Sequence, residues 1–215
     1  LKVYFLPENI KALAFDMDLT LYTHSVYGQF QVDSLIERLG KKRGLSFDEM
    51  NEEVRLIRKR YAESSGGKVM SLSDIIKSYG ISIEENIRWR EESYEPSDFL
   101  QEDPVLKETL EVLSRFFTIG VITNNPVLIA RKTLKALGVE NCFSVIVGLD
   151  TCKVSKPNEK PFLKFSELSL CPKENSVSIG DRYDIDLAIP LALGFGGILV
   201  DGVEDVYELP SVLIR

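Results

Sequence analysis

From residue 104 onward the chain alternates helix-like and strand-like segments, and this rhythm narrows its fold more than any other feature. "VLKETLEVLSRF" has helical periodicity and "FTIGVIT" follows as a short apolar run. "VLIARKTLKALG" precedes "FSVIVG", "EKPFLKFSELSL" precedes "SVSIGD", and "DLAIPLALG" precedes "GGILVD". Alternation of this kind builds βα units on a parallel sheet with right-handed crossovers. One more apolar run, "KALAFD" (11–16), stands apart near the start. Between it and the alternating region, apolar residues recur at helical spacing: Val32, Leu35, Ile36 and Leu39, then Met50, Val54, Ile57 and Tyr61, then Leu72, Ile75, Ile76 and Tyr79. Ser46 with Glu49, Ser71 with Asp74 and Ser82 with Glu85 mark helix starts of the capping-box type. The economical architecture is an α/β core from residues 1–22 and 98–215, with an all-helical insertion over 23–97 after the first strand.

Four of the strand-like runs end in groups able to do chemistry. Asp16 closes the first, with Asp18 and Thr20 just beyond. Thr123, Asn124 and Asn125 follow the second, Lys156 lies in the loop after the third, and Asp181, Asp184 and Asp186 follow the fourth. Open parallel sheets bind ligands beyond the carboxyl ends of their strands. Each group also has a bland reading. The Asp16–Asp18 pair could be a solvated turn, Thr123-Asn124-Asn125 a helix cap, and Lys156 a surface lysine. Asp184 and Asp186 could each cap the next helix. The coincidence at one sheet edge outweighs these separate readings. Two carboxylates so close together call for a cation or a shared proton.

With 44% apolar and 27% charged residues in 215, a sizeable core is expected and disorder is not. The net charge of −7 argues against nucleic-acid and anionic-membrane partners, so an anionic ligand would need positive charge supplied locally. Cys142, Cys152 and Cys171 have no metal-type spacing and read as reduced thiols. "IPLALGFGGILV" is too short to span a bilayer. No signal-peptide stretch is visible, which points to the cytoplasm, although a chain starting at Leu1 leaves room for residues upstream. The glycines of "LGFGG" follow a helix, so they are no dinucleotide fingerprint, and no P-loop is present.

"DMDLT", "TNN", "SKP" and "GDRYDID", in that order, resemble the four signature motifs of the haloacid dehalogenase-like hydrolase superfamily. The resemblance covers the whole chain. It implies a Rossmann-like open parallel sheet with a helical cap inserted after the first motif. It further implies a Mg-dependent phosphatase working through an aspartyl-phosphate. Asp16 would be the nucleophile and Asp18 the acid/base, which marks the phosphatase branch because an alkoxide needs a proton to leave and a halide does not. Mg²⁺ would be held by Asp16, Asp181 and the Asp18 carbonyl, with Asp186 acting directly or through water. Thr123, Asn124 (through its backbone N–H) and Lys156 would bind the phosphoryl group. The family's spacing selects Asp186 over Asp184. Pro190 is a departure, since small residues are usual there, and a shifted helix start is expected from it. Loss of Lys156 or Asp16 is expected to act on turnover more than on folding.

A helical cap of this kind goes with small phosphorylated metabolites. "FDMDLTLY" is similar to the pyrimidine nucleotidase branch, and phosphoglycolate and sugar phosphates also fit. Tyr22, Tyr27, Trp89 and Tyr94 read mainly as packing, and His24 as an exposed loop residue. Alternatives are a phosphosugar mutase, or a phosphonate hydrolase using a Schiff-base lysine among Lys41, Lys42, Lys59, Lys68 and Lys77. A receiver-type phospho-accepting domain is disfavoured, because here an acid pair closes the last motif. Nothing in the sequence sets the oligomeric state, and a monomer suffices for this reading.

Overall fold

The computed structural model describes residues 1–67 and 69–214. Six strands form one sheet: β1 (Lys2–Phe5), β2 (Ala12–Phe15), β3 (Thr118–Ile122), β4 (Val145–Val147), β5 (Ser176–Gly180) and β6 (Gly196–Leu199). Their order is β1-β6-β5-β2-β3-β4. The five strands β2 to β6 run parallel, as the alternating pattern predicts. β1 is an antiparallel edge strand beside β6, and it was not anticipated. All four of its residues are exposed, so "KVYF" lacks the in–out alternation that advertises a strand.

β2 lies at the centre with all four residues buried, pairing with β3 on one side and β5 on the other. A strand covered on both faces has no polar alternation, which is why "ALAF" reads as a plain apolar run. Ala12 and Ala14 share a cluster with Val145, Val147, Phe162, Phe165 and Phe195.

The chain divides into two compact units, Leu1–His24 with Glu95–Arg215, and Ser25–Tyr94. The second unit contains α1 (Ser25–Arg43), α2 (Phe47–Ser64), α3 (Leu72–Ser78) and α4 (Ile83–Ser93). Ser46, Ser71 and Ser82 cap α2, α3 and α4, each accepting the backbone N–H three residues on. At α2 the Glu49 carboxylate returns the bond to the Ser46 N–H at 2.8 Å. Tyr27, Trp89 and Tyr94 are buried in this unit, and the Tyr94 hydroxyl donates to the Gln31 carbonyl at 2.6 Å. Lys41, Lys42, Lys59 and Lys77 are all exposed, whereas Lys68 lies outside the described residues.

The α/β unit adds α5 (Pro104–Ser114), α6 (Val127–Ala136), α7 (Leu149–Cys152), α8 (Glu159–Ser169), α9 (Ala188–Leu193), α10 (Val203–Tyr207) and α11 (Leu209–Leu213). His24 is half-buried rather than exposed, its ring edge-on to Phe99 with centroids 6.2 Å apart. Among the described residues, no helix is long and apolar enough to cross a membrane.

Candidate active site

Asp16 follows directly from β2, and its backbone N–H continues the ladder to the Ile179 carbonyl at 2.7 Å. Its side chain is therefore aimed by the sheet rather than by a loop. The chain then turns sharply: Leu19 takes φ +64°, and the Leu21 N–H closes on the Met17 carbonyl at 2.9 Å. A left-handed leucine is unfavourable by roughly 1–2 kcal/mol, which the surrounding packing must offset. This turn brings Tyr22 back to Asp18, and the Tyr22 hydroxyl donates to Asp18 Oδ1. Asp18 Oδ2 accepts from the Asn125 side-chain amide at 2.9 Å.

Thr123 extends β3 and is buried, with its Oγ1 accepting the Asn125 N–H at 3.1 Å. Asn124 turns its side chain onto another loop altogether. Its Oδ1 accepts the Lys156 N–H at 2.6 Å, and its Nδ2 donates to the Lys156 carbonyl at 3.2 Å. Both main-chain groups of one residue are thereby fixed by one amide, beside a cis Lys156–Pro157 peptide.

Lys156 is 1% exposed, and its Nζ lies 2.6 Å from both Asp16 Oδ1 and Asp186 Oδ1. Burial by itself would lower the lysine's pKa. The charges of Asp16 and Asp186 more than offset that and hold it above the ordinary value. Asp186 is buried too, and burial raises its carboxyl against the pull of Lys156. Asp181 is pushed up to about 7, first by burial and then by the charge of Asp16.

Asp186 therefore joins the cluster, whereas Asp184 is exposed. The turn that carries Asp186, Tyr183–Leu187, is a π-turn, one residue wider than an α-turn. Gly180 makes the close approach possible, since a Cβ there would lie 2.5 Å from Asp186 Cβ.

Carboxylate oxygens of Asp16, Asp181 and Asp186 all lie within 4.8 Å of one another. Asp181 Oδ1 is buried with no hydrogen-bond partner. Arg182 Nε stands 3.7 Å from that oxygen, too far for a hydrogen bond. An all-oxygen set with a buried acceptor left without a hydrogen bond suits a hard cation such as Mg²⁺.

Sequence reasoning singled out Asp16, Asp18, Thr123, Asn124, Lys156, Asp181 and Asp186, and the structure gathers their segments at the carboxyl edge of the sheet. It did not assign the contacts that Tyr22 and Asn125 make to Asp18. The i to i+4 spacing of Asp18 and Tyr22 was the available signal.

Residues 13–193 match the haloacid dehalogenase-like hydrolase family. The chain belongs to that family. A glyceraldehyde 3-phosphate phosphatase from Methanopyrus kandleri is 25% identical over 185 residues, which is 83% of this chain and 78% of that one. A phosphoglycolate phosphatase from Colwellia psychrerythraea is 30% identical over 90 residues, 42% of this chain and 40% of its own. The chain likewise spans only 39% of the length of another curated relative that it matches. A solved HAD phosphatase from Thermococcus onnurineus shares the fold, with a TM-score of 0.62 at 21% identity over 95% of this chain and 98% of that one.

Proposed function

We propose that this family member is a Mg-dependent phosphatase that hydrolyses the phosphate monoester of a small metabolite through an aspartyl-phosphate on Asp16. The observation that carries the reading is the buried meeting of Asp16, Lys156 and Asp186, 2.6 Å apart in each ion pair, beside an Asp181 oxygen that accepts no hydrogen bond. The family's phosphatase relatives support it. Those named above act, by their names, on phosphoglycolate and on glyceraldehyde 3-phosphate, both small phosphate monoesters.

The Asp16 carboxylate attacks phosphorus, forming the acyl-phosphate as the ester oxygen leaves. Asp18 gives that oxygen its proton, then takes one from the water that attacks the acyl-phosphate. Tyr22 and Asn125 hold its two oxygens and keep the carboxyl oriented through both halves. Thr123 offers its hydroxyl, Asn124 its backbone N–H and Lys156 its charge to the transferring phosphoryl oxygens. Asp16, Asp181, Asp186 and the Asp18 carbonyl would hold Mg²⁺. Bound there, the cation would offset the mutual repulsion of nucleophile and phosphate. In this reading residues 1–22 and 98–215 are the catalytic core, residues 23–97 are the substrate-selecting cap, and the protein works in the cytoplasm.

Hydrolysis of p-nitrophenyl phosphate, measured with Mg²⁺ and with chelator, tests the proposal. Turnover is expected only with the metal and is expected to vanish in Asp16→Asn. Metal-independent turnover, or an active Asp16→Asn protein, would sink it.

A further inference from the structure

We infer that Ser178 is a positioning residue for Asp186, standing in for the backbone N–H that Pro190 lacks. The inference rests on the metal reading given above. Asp186 lies at the join between the π-turn and α9. In a continuing α-helix its carbonyl would accept the N–H of residue 190. Residue 190 is a buried proline and has no N–H to give. A buried carbonyl left without a partner is costly, so another donor has to serve it.

Ser178 is that donor. It sits in the middle of β5, is 3% exposed, and its Oγ donates to the Asp186 carbonyl at 2.7 Å. Its own backbone is in register with Ala14 of β2 and Gly197 of β6. The hydroxyl is thus anchored on the central part of the sheet. A buried serine hydroxyl in an apolar strand needs an acceptor, and the buried Asp186 carbonyl needs a donor that Pro190 cannot supply. Together each removes the other's cost, because the strand's spare donor meets the helix's spare acceptor.

The consequence falls on the Asp186 side chain. Its Oδ2 takes the Arg182 N–H at 3.1 Å and its Oδ1 takes Lys156 Nζ at 2.6 Å. These bonds aim the carboxylate only if the Asp186 main chain stays where Ser178 pins it. Gly180 leaves no slack on the strand side. Ser178 would touch neither substrate nor metal and would act through Asp186 alone.

A four-protein cycle tests this: wild type, Ser178→Ala, Pro190→Ala and the double variant. Mg²⁺ affinity is read by calorimetry, turnover with p-nitrophenyl phosphate, and stability by thermal unfolding. Ser178→Ala is expected to weaken Mg²⁺ binding about 10-fold or more. At saturating metal, kcat should fall while KM stays within about twofold. Pro190→Ala restores the N–H, so removing Ser178 in that background should cost much less, a clear failure of additivity. Ser178→Thr keeps the hydroxyl and should retain wild-type affinity. An equal effect of Ser178→Ala in both backgrounds, or unchanged Mg²⁺ affinity, overturns the inference. Wild type that binds no Mg²⁺ would instead sink the metal reading. The unfolding cycle would then decide the Ser178–Pro190 exchange by itself, additivity overturning it and non-additivity upholding it. A Ser178→Ala protein that fails to fold beside a folded double variant is the extreme of the supporting result.

Discussion

Lys156 holds two buried carboxylates at once, and each of its neighbours depends on it. Removing one partner from a buried ion cluster leaves the other charges uncompensated, at about 3–5 kcal/mol. Lys156→Met is therefore expected to lose turnover by roughly 100-fold or more and also to unfold at clearly lower urea. The second effect goes beyond the sequence expectation that its loss acts mainly on turnover. Asp181 behaves in the opposite sense. Its folded pKa stands above the unfolded value near 3.8, at about 7, so the native state holds the proton more tightly. Stability without metal should then fall as pH rises from about 4 to 7, by an amount on the order of 1–3 kcal/mol. Asp181→Asn should flatten that slope, and Mg²⁺ should offset it by binding the native state alone. Thermal unfolding across that pH range, with chelator and with Mg²⁺, checks both. At this scale Asp16, Thr123 and Asp181 were legible because they close apolar runs, and Lys156 because it sits in the loop after another. The bonds from Tyr22, Asn125 and Ser178 were not, because a buried hydroxyl or amide in sequence looks like any other packing residue.

Short elements aim these residues. α6 has Pro126 at its N-cap, which offers no side-chain cap, and Asp150 from the first turn of α7 supplies one by accepting the Val127 N–H at 2.9 Å. Gly148 lets the starts of these two helices meet, since a Cβ there would lie 2.6 Å from Val127 N and 2.9 Å from the Asn125 carbonyl. Gly148→Ala should push back the loop that carries Asn124 and Asn125. A stability loss of about 1–3 kcal/mol should come with a lower kcat, read by urea unfolding and steady-state kinetics. Ser46→Ala, by contrast, should cost about 1 kcal/mol through the lost cap of α2 and leave kcat unchanged. The capping serines were readable because their chemistry is local. β1 was not, because its pairing with β6 is set by the far end of the chain. The π-turn was foreshadowed only by Pro190, whose missing N–H disturbs the helix without saying which carbonyl is orphaned.

For the molecule as a whole, the central strand is the part that must wait. Ala12 pairs with Thr118 and with Ser176, both distant along the chain, while the helices of Ser25–Tyr94 are joined by short connections. Local contacts form faster than pairings that close long loops. Pulse-labelled hydrogen exchange during refolding should show protection in α1 and α2 before β2, and simultaneous protection would count against this order. The overall fold was legible because alternation fixes the class of sheet, whereas strand order emerges only from long-range pairing. The Asn124–Lys156 pairing carries a consequence for transplanting this chemistry. One amide grips the lysine's main chain from both sides, as complementary bases grip each other. A loop bearing that lysine, grafted onto another sheet, would arrive without its address unless the asparagine travelled with it.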